Sequence, residues 1–138
     1  MIVLDASMAL AWIFERENQK EVVQANRVLE AMLHTPVMVP ALWHTEIANA
    51  LSVGERRKVI TEAQIIDYLS RLSHLPITTD SRTSASARDL VMSLGREYSL
   101  TAYDATYLEL ALQHKAVLAS FDVALLQAIR KAGGETMD

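Results

Sequence analysis

Four acidic residues stand where acids are costly. Asp104 lies in the stretch Leu100–Ala111, which reads as a helix with an apolar stripe through Ala105, Leu108, Ala111 and Leu112. Positions three, four and seven apart share a helix face, which puts Asp104 on the edge of that stripe. Glu46 falls in the middle of an apolar face made by Leu42, Trp43, Ile47, Ala50, Leu51 and Val53. Asp5 directly follows the apolar run Met1–Leu4, and Asp122 closes Ser120-Phe121-Asp122 after the run Val117–Ala119. An isolated carboxylate is expensive to bury, so each needs a partner or a cation. For Asp5 and Asp122 the plain alternative is a turn or helix N-cap. For Glu46 and Asp104 it is a salt bridge to a buried arginine.

The set says more than its members. Two like charges about 4 Å apart repel by about 4 kcal/mol at an effective dielectric near 20. Four acids in one pocket would unfold it or take up protons unless cations were bound. An oxygen-only donor set suits hard cations, Mg²⁺ or Mn²⁺. Mg²⁺ keeps several waters and takes few carboxylates, which leaves room for a phosphate. The chemistry that follows is phosphodiester hydrolysis by in-line attack of water, with the charge on the attacking and leaving oxygens stabilised by metal.

The elements that must carry these acids alternate. Met1–Leu4 is a short apolar run of the kind buried on both faces of a parallel sheet. Ser7 is read as the cap of a short helix, Met8 to about Phe14. Further helices are expected over about Lys20–Leu33, Leu42–Glu55, a capped one opening at Thr61-Glu62-Ala63-Gln64 and running to Leu75, then Ser84–Tyr98, Ala102–Lys115 and Val123–Ala132. Strands are expected at Val37–Val39, Ile77–Thr79 and Val117–Ala119, with an edge strand at Glu135–Met137. Short apolar strands alternating with helices, without hairpin signals, imply an α/β sandwich around a mainly parallel sheet of four to five strands. Ligands of such sheets bind beyond the carboxyl ends of the strands, where Asp5 and Asp122 fall.

Bulk properties bound the function. A chain of 138 residues with 51% hydrophobic and 22% charged residues fits one folded domain. Cysteine is absent, which excludes disulfides, thiolate zinc sites and thiol nucleophiles and suits the reducing cytosol. No signal peptide or membrane span is expected, since Asp5 comes so early and apolar runs such as Met8–Phe14 are short. The net charge of −4 argues against coating nucleic acid by bulk charge, yet two divalent cations would cancel that deficit where the acids cluster.

At the level of motifs, Val3-Leu4-Asp5-Ala6-Ser7, Pro40-Ala41-Leu42-Trp43-His44-Thr45-Glu46 with Asn49-Ala50-Leu51, Leu100–Ala111, and Leu118-Ala119-Ser120-Phe121-Asp122 resemble the PIN-domain nucleases. The resemblance is strongest to the VapC toxins of type II toxin–antitoxin pairs. It spans essentially the whole chain, so residues 1–138 are read as a single PIN domain with a three-layer α/β/α fold. It implies a Mg²⁺- or Mn²⁺-dependent endoribonuclease. Asp5 and Asp104 would be the main metal ligands, Glu46 would complete the set or activate water, and Asp122 would hold a second, weaker ion or its waters. Ser7 and Ser120 match hydroxyls that orient the acids; many relatives carry threonine in the place of Ser120. The resemblance further implies a cytoplasmic homodimer and a VapB-type antitoxin whose tail blocks the acidic pocket.

Other residues are set aside. The four histidines, His34, His44, His74 and His114, lack ligand spacing. Asp80 reads as a turn residue before Ser81-Arg82, and Glu109, Asp67 and Asp89 as solvated helix acids. Arg56-Arg57-Lys58 reads as a charged helix end that could touch RNA. Trp12, Phe14, Trp43, Tyr68 and Tyr107 read as core or dimer contacts. Rival functions are a PIN nuclease of RNA processing that is not a toxin, a Mg²⁺-dependent phosphatase and a receiver-like module. The phosphatase needs an Asp-x-Asp pair, but Ser7 takes the second place. The receiver needs adjacent acids and a late lysine at a strand end, and neither stands out.

Overall fold

The computed structural model describes residues 1–137. Among them are five strands, β1 (Ile2–Leu4), β2 (Val37–Val39), β3 (Ile77–Thr79), β4 (Val117–Ala119) and β5 (Glu135–Thr136). They form one sheet in the order β3-β2-β1-β4-β5, and every pairing is parallel. The central strands are apolar because both faces are covered: Ile2, Val3, Leu4, Leu118 and Ala119 are all buried. The expected four to five strands are five, all parallel, and the edge strand at the C-terminal end is β5.

Seven helices connect them: α1 (Ala6–Leu10), α2 (Gln19–Ala31), α3 (Ala41–Arg56), α4 (Glu62–Leu72), α5 (Ser84–Tyr98), α6 (Ala102–His114) and α7 (Val123–Lys131). Strand order runs one way from β1 to β3 and the other way from β4 to β5. With right-handed crossovers this sends α1–α4 to one face and α5–α7 to the other. The packing agrees: α6 lies against α5 and α7, and α1 against α3. The α4 start carries the expected capping box, with Thr61 and Gln64 satisfying each other's backbone N–H groups.

Two expectations need correction. The first helix starts at Ala6 rather than Met8 and stops at Leu10, and Asp5, not Ser7, occupies its N-cap position. The Ser7 hydroxyl is engaged elsewhere, with Asp5 and Phe121. Glu109 is not solvated but buried, at 3% exposure. Both its oxygens accept from the Arg82 guanidinium at 2.7 and 2.8 Å, while Asp80 accepts from the Arg82 Nε. These two acids hold the Arg82 guanidinium firmly protonated, its pKa raised first by the Glu109 bond and then by Asp80. Helical periodicity placed Glu109 away from Asp104 correctly, but it could not show that the turn after β3 lays an arginine across that face.

The Arg82–Glu109 pair ties the loop after β3 to α6, the helix that carries Asp104. Replacing Arg82 by Met leaves Glu109 as a buried, unpaired charge and should cost roughly 2–3 kcal/mol in a urea unfolding measurement. The double variant R82M/E109L should regain much of the loss. An unchanged midpoint in Arg82→Met would show that the pair does not hold the helix.

Candidate metal centre

The strand order reverses between β1 and β4, and the crevice beyond their carboxyl ends is where a parallel sheet offers a binding site. The hollow there has a volume of about 480 Å³ and is lined by Asp5, Glu46, Asp104 and Asp122, with Ser7, Arg16, Asn49 and Phe121 among its walls. Four segments far apart in sequence thus bring the four singled-out acids into one space. Asp5 comes from the end of β1, Glu46 from the second turn of α3, Asp104 from the first turn of α6 and Asp122 from the start of α7.

Each acid is held by the fold. The Ser7 and Ser120 hydroxyls both donate to Asp5 Oδ2 at 2.6 Å. The two serines are fixed in turn: Ser7 Oγ accepts from the Phe121 N–H at 3.0 Å, and Ser120 Oγ from the Asp122 N–H at 2.9 Å. The β1 and β4 ends are therefore sewn together through hydroxyls that converge on one carboxylate oxygen. Asp122 Oδ1 caps α7 by accepting from the Leu125 N–H at 2.9 Å. The capping role expected as its plain alternative is real, and the same residue also lines the hollow. Tyr107 donates its hydroxyl to Glu46 Oε1 at 2.5 Å, reaching from α6 to α3 across the top of the sheet. Asp104 is set in the first turn of α6 by Thr101, whose side chain accepts from the Asp104 N–H. In Glu46 and Asp122 these bonds fall on one named oxygen, while Asp5 is further held by the Ala6 backbone.

The electrostatics are those of crowded, half-dehydrated acids. Asp5, at 6% exposure, has its pKa pushed up by burial; the Ser120 and Ser7 bonds oppose this, and the charge of Asp122 adds to it. Glu46 is raised by burial, against the Tyr107 bond, with repulsion from Asp5 and Asp104. Asp104 is raised by burial and by the charges of Asp122 and Asp5. Tyr107 is raised far out of the titrating range by burial and by its bond to Glu46, so it remains a donor. Among the described residues no ion pair engages Glu46 or Asp104.

The donor chemistry fits a hard cation. The acids offer only oxygen, their charges are uncompensated by one another, and histidine and cysteine are absent from the walls. Among the described residues no three acid or histidine side chains draw close enough to enclose an ion by themselves. An ion seated here would therefore complete its shell with water, as Mg²⁺ does.

Two residues that bear on the site are not singled out by sequence pattern: Arg16, which lines the hollow, and Tyr107, buried behind it. Tyr107 reads as core, and it is fully buried, yet its hydroxyl fixes Glu46. The available signal was its place one turn after Asp104, on the same face of α6. Arg16 lies in the loop between α1 and α2, where no periodicity marks it. The set-aside residues mostly stay out of the hollow: His44 bonds Thr79, His74 bonds the Ser70 carbonyl, and Arg56, Arg57 and Lys58 are exposed at the far end of α3 and just past it.

The PIN domain family model matches residues 2–131. No curated protein matches the chain by sequence. Among solved structures, it is similar to PAE2754 from Pyrobaculum aerophilum, with a TM-score of 0.69 and 22% identity over 99% of this chain and 83% of that one. It is also similar to FitAcB from Neisseria gonorrhoeae, with a TM-score of 0.66 and 16% identity over 100% and 97% of the two chains. The structure of FitAB bound to IR36 DNA fragment gives a TM-score of 0.61 and 17% identity over 99% and 93%. At these identities the likeness is one of fold.

A raised carboxyl pKa makes the metal-free fold less stable once the group ionises. For Asp104 the penalty is absent below the ordinary value of 3.8 and fully present above the raised one, so stability is lost as pH rises between them. Asp104→Asn should accordingly raise the melting temperature of the metal-free protein by a few degrees at pH 7 and leave it unchanged near pH 3. A lower melting temperature at pH 7 would contradict the cost of burial and repulsion described here.

Proposed function

The chain belongs to the PIN-domain family, whose members are generally nucleases, and from that premise we propose that it is a Mg²⁺- or Mn²⁺-dependent endoribonuclease acting as the toxin of a type II toxin–antitoxin pair. The observation that carries the reading is the gathering of four carboxylates, from four separate segments, in one hollow beyond the β1 and β4 ends. Repulsion among them favours a cation, and their oxygen-only chemistry favours a hard one.

In this reading Asp5 and Asp104 hold the main ion, and Glu46 and Asp122 complete its surroundings directly or through water. A bound divalent cation would neutralise charge developing on the phosphate and make water more acidic. The protein's own part is positioning. Ser7 and Ser120 fix Asp5 through Oδ2 at the edge of the hollow. Glu46, steadied by Tyr107 at Oε1, lines the hollow where it could accept a proton from water. Asp122 joins the α7 start to the site through its cap.

The choice of RNA rests on the motif resemblance. The toxin role rests on that resemblance as well; the similarity to FitAB is one of fold. A VapB-type antitoxin and a second copy of the chain are the expected partners, and the whole chain works as one PIN domain.

The test is cleavage of single-stranded RNA by the purified protein. Wild type should cut RNA in Mg²⁺ or Mn²⁺, stop in EDTA and recover when the cation is restored. Asp5→Asn should lower the rate at least about 100-fold while keeping the circular dichroism of the wild type. Full activity in chelator would exclude the metal mechanism, and normal cleavage by Asp5→Asn would remove that residue from the site. Cleavage without growth arrest on expression would favour an RNA-processing nuclease over a toxin.

A further inference from the structure

We propose that Arg16 grips a backbone phosphate of the RNA at the rim of the acidic hollow, held ready for it by Phe121 and Glu21. The inference rests on the ribonuclease reading above and extends it to a substrate-binding residue. Arg16 lines the same hollow as the four acids but pairs with none of them. Its guanidinium lies over the Phe121 ring, 4.2 Å from the ring centre, and its Nε donates to Glu21 Oε2 at 2.5 Å. Phe121 sits between Ser120 and Asp122, and its N–H donates to Ser7, so the platform under the guanidinium belongs to the machinery that fixes Asp5.

The geometry leaves a specific part of the side chain for a ligand. Stacking takes one face of the guanidinium and Glu21 takes its Nε edge. The two terminal amino groups make no hydrogen bond to another described residue. An arginine fixed in this way presents a planar pair of donors suited to two phosphate oxygens, and little freedom remains to be lost on binding. The placement also answers an electrostatic need. A hollow lined by four acids repels a polyanion away from its bound cations, and Arg16 is the cationic side chain among its walls. Clamping the loop between α1 and α2 onto the β4–α7 loop and the start of α2 is the purely structural alternative for the same contacts.

The two roles separate in the salt dependence of RNA binding. A phosphate contact releases counterions, so its loss lowers the slope of log affinity against log salt by about 0.7 for a single strand. A short fluorescent single-stranded RNA, bound in Mg²⁺ by protein carrying Asp5→Asn to prevent turnover, supplies the measurement by anisotropy. Adding Arg16→Gln should weaken binding about ten-fold and reduce the slope by about 0.7. Adding Arg16→Lys instead should keep the slope, because the charge remains, but lose part of the affinity with the fork and the stacking. In the otherwise wild-type enzyme, Arg16→Gln should raise KM more than it lowers kcat. Unchanged affinity and slope in Arg16→Gln, or a lowered melting temperature in both variants with wild-type slopes, would overturn the assignment while wild-type cleavage left the ribonuclease reading standing. Absence of cleavage and of RNA binding in wild type would sink both.

Discussion

The burial of Asp5, Glu46 and Asp104 in one hollow with Asp122, to which their mutual repulsion adds, is the constraint around which the upper end of this sheet is built. Burial and neighbouring charge raise the first three together, and no arginine or lysine pairs with Glu46 or Asp104 among the described residues. A fold selected only for stability would remove such a cluster or pair it, since unpaired buried charge is among the costliest features a protein can carry. The same chain shows that it can build the pair: Glu109, one turn and a half further along α6 than Asp104, is buried more deeply and is fully matched by Arg82. The contrast within one helix separates an acid matched by an arginine from one that no ion pair engages among the described residues.

The rest of the architecture resists that repulsion without cancelling it. Hydroxyls and backbone N–H groups hold the acids where cations of the protein do not. Ser7 and Ser120 bind Asp5 and each other's loops, Tyr107 spans from one helical layer to Glu46 in the other, and the α7 N-cap anchors Asp122. Neutral donors of this kind fix direction while leaving net negative charge in place. The arrangement needs the parallel sheet: only at the reversal of strand order between β1 and β4 do two strand ends and two helix layers open onto one space.

Much of this was legible in the residues. Periodicity on the helices and short apolar runs on the strands located nearly every element, because burial on one face or on both leaves a regular imprint. The four acids were legible as misfits against that imprint. What was not legible came from loops and from contacts between layers. Glu109 looked solvated because its partner sits 27 positions away on a turn. Tyr107 looked like core because its ring is core, and only the partner of its hydroxyl reveals the second role. Ser7 was read as a cap because the local pattern fits one, but its hydroxyl answers to Asp5 and to Phe121, on a distant segment. Arg16 carries no periodic signal at all, and its place over Phe121 is a contact between loops far apart in sequence.

The central claim is that these four carboxylates share a cation. Crystals soaked in millimolar Mn²⁺ and measured at the manganese absorption edge test it most directly. The account expects an anomalous peak in the hollow, roughly 2.1 Å from a carboxylate oxygen of Asp5 and of Asp104 and completed by water. A hollow without a peak at that concentration, or manganese bound only elsewhere on the surface, would contradict it.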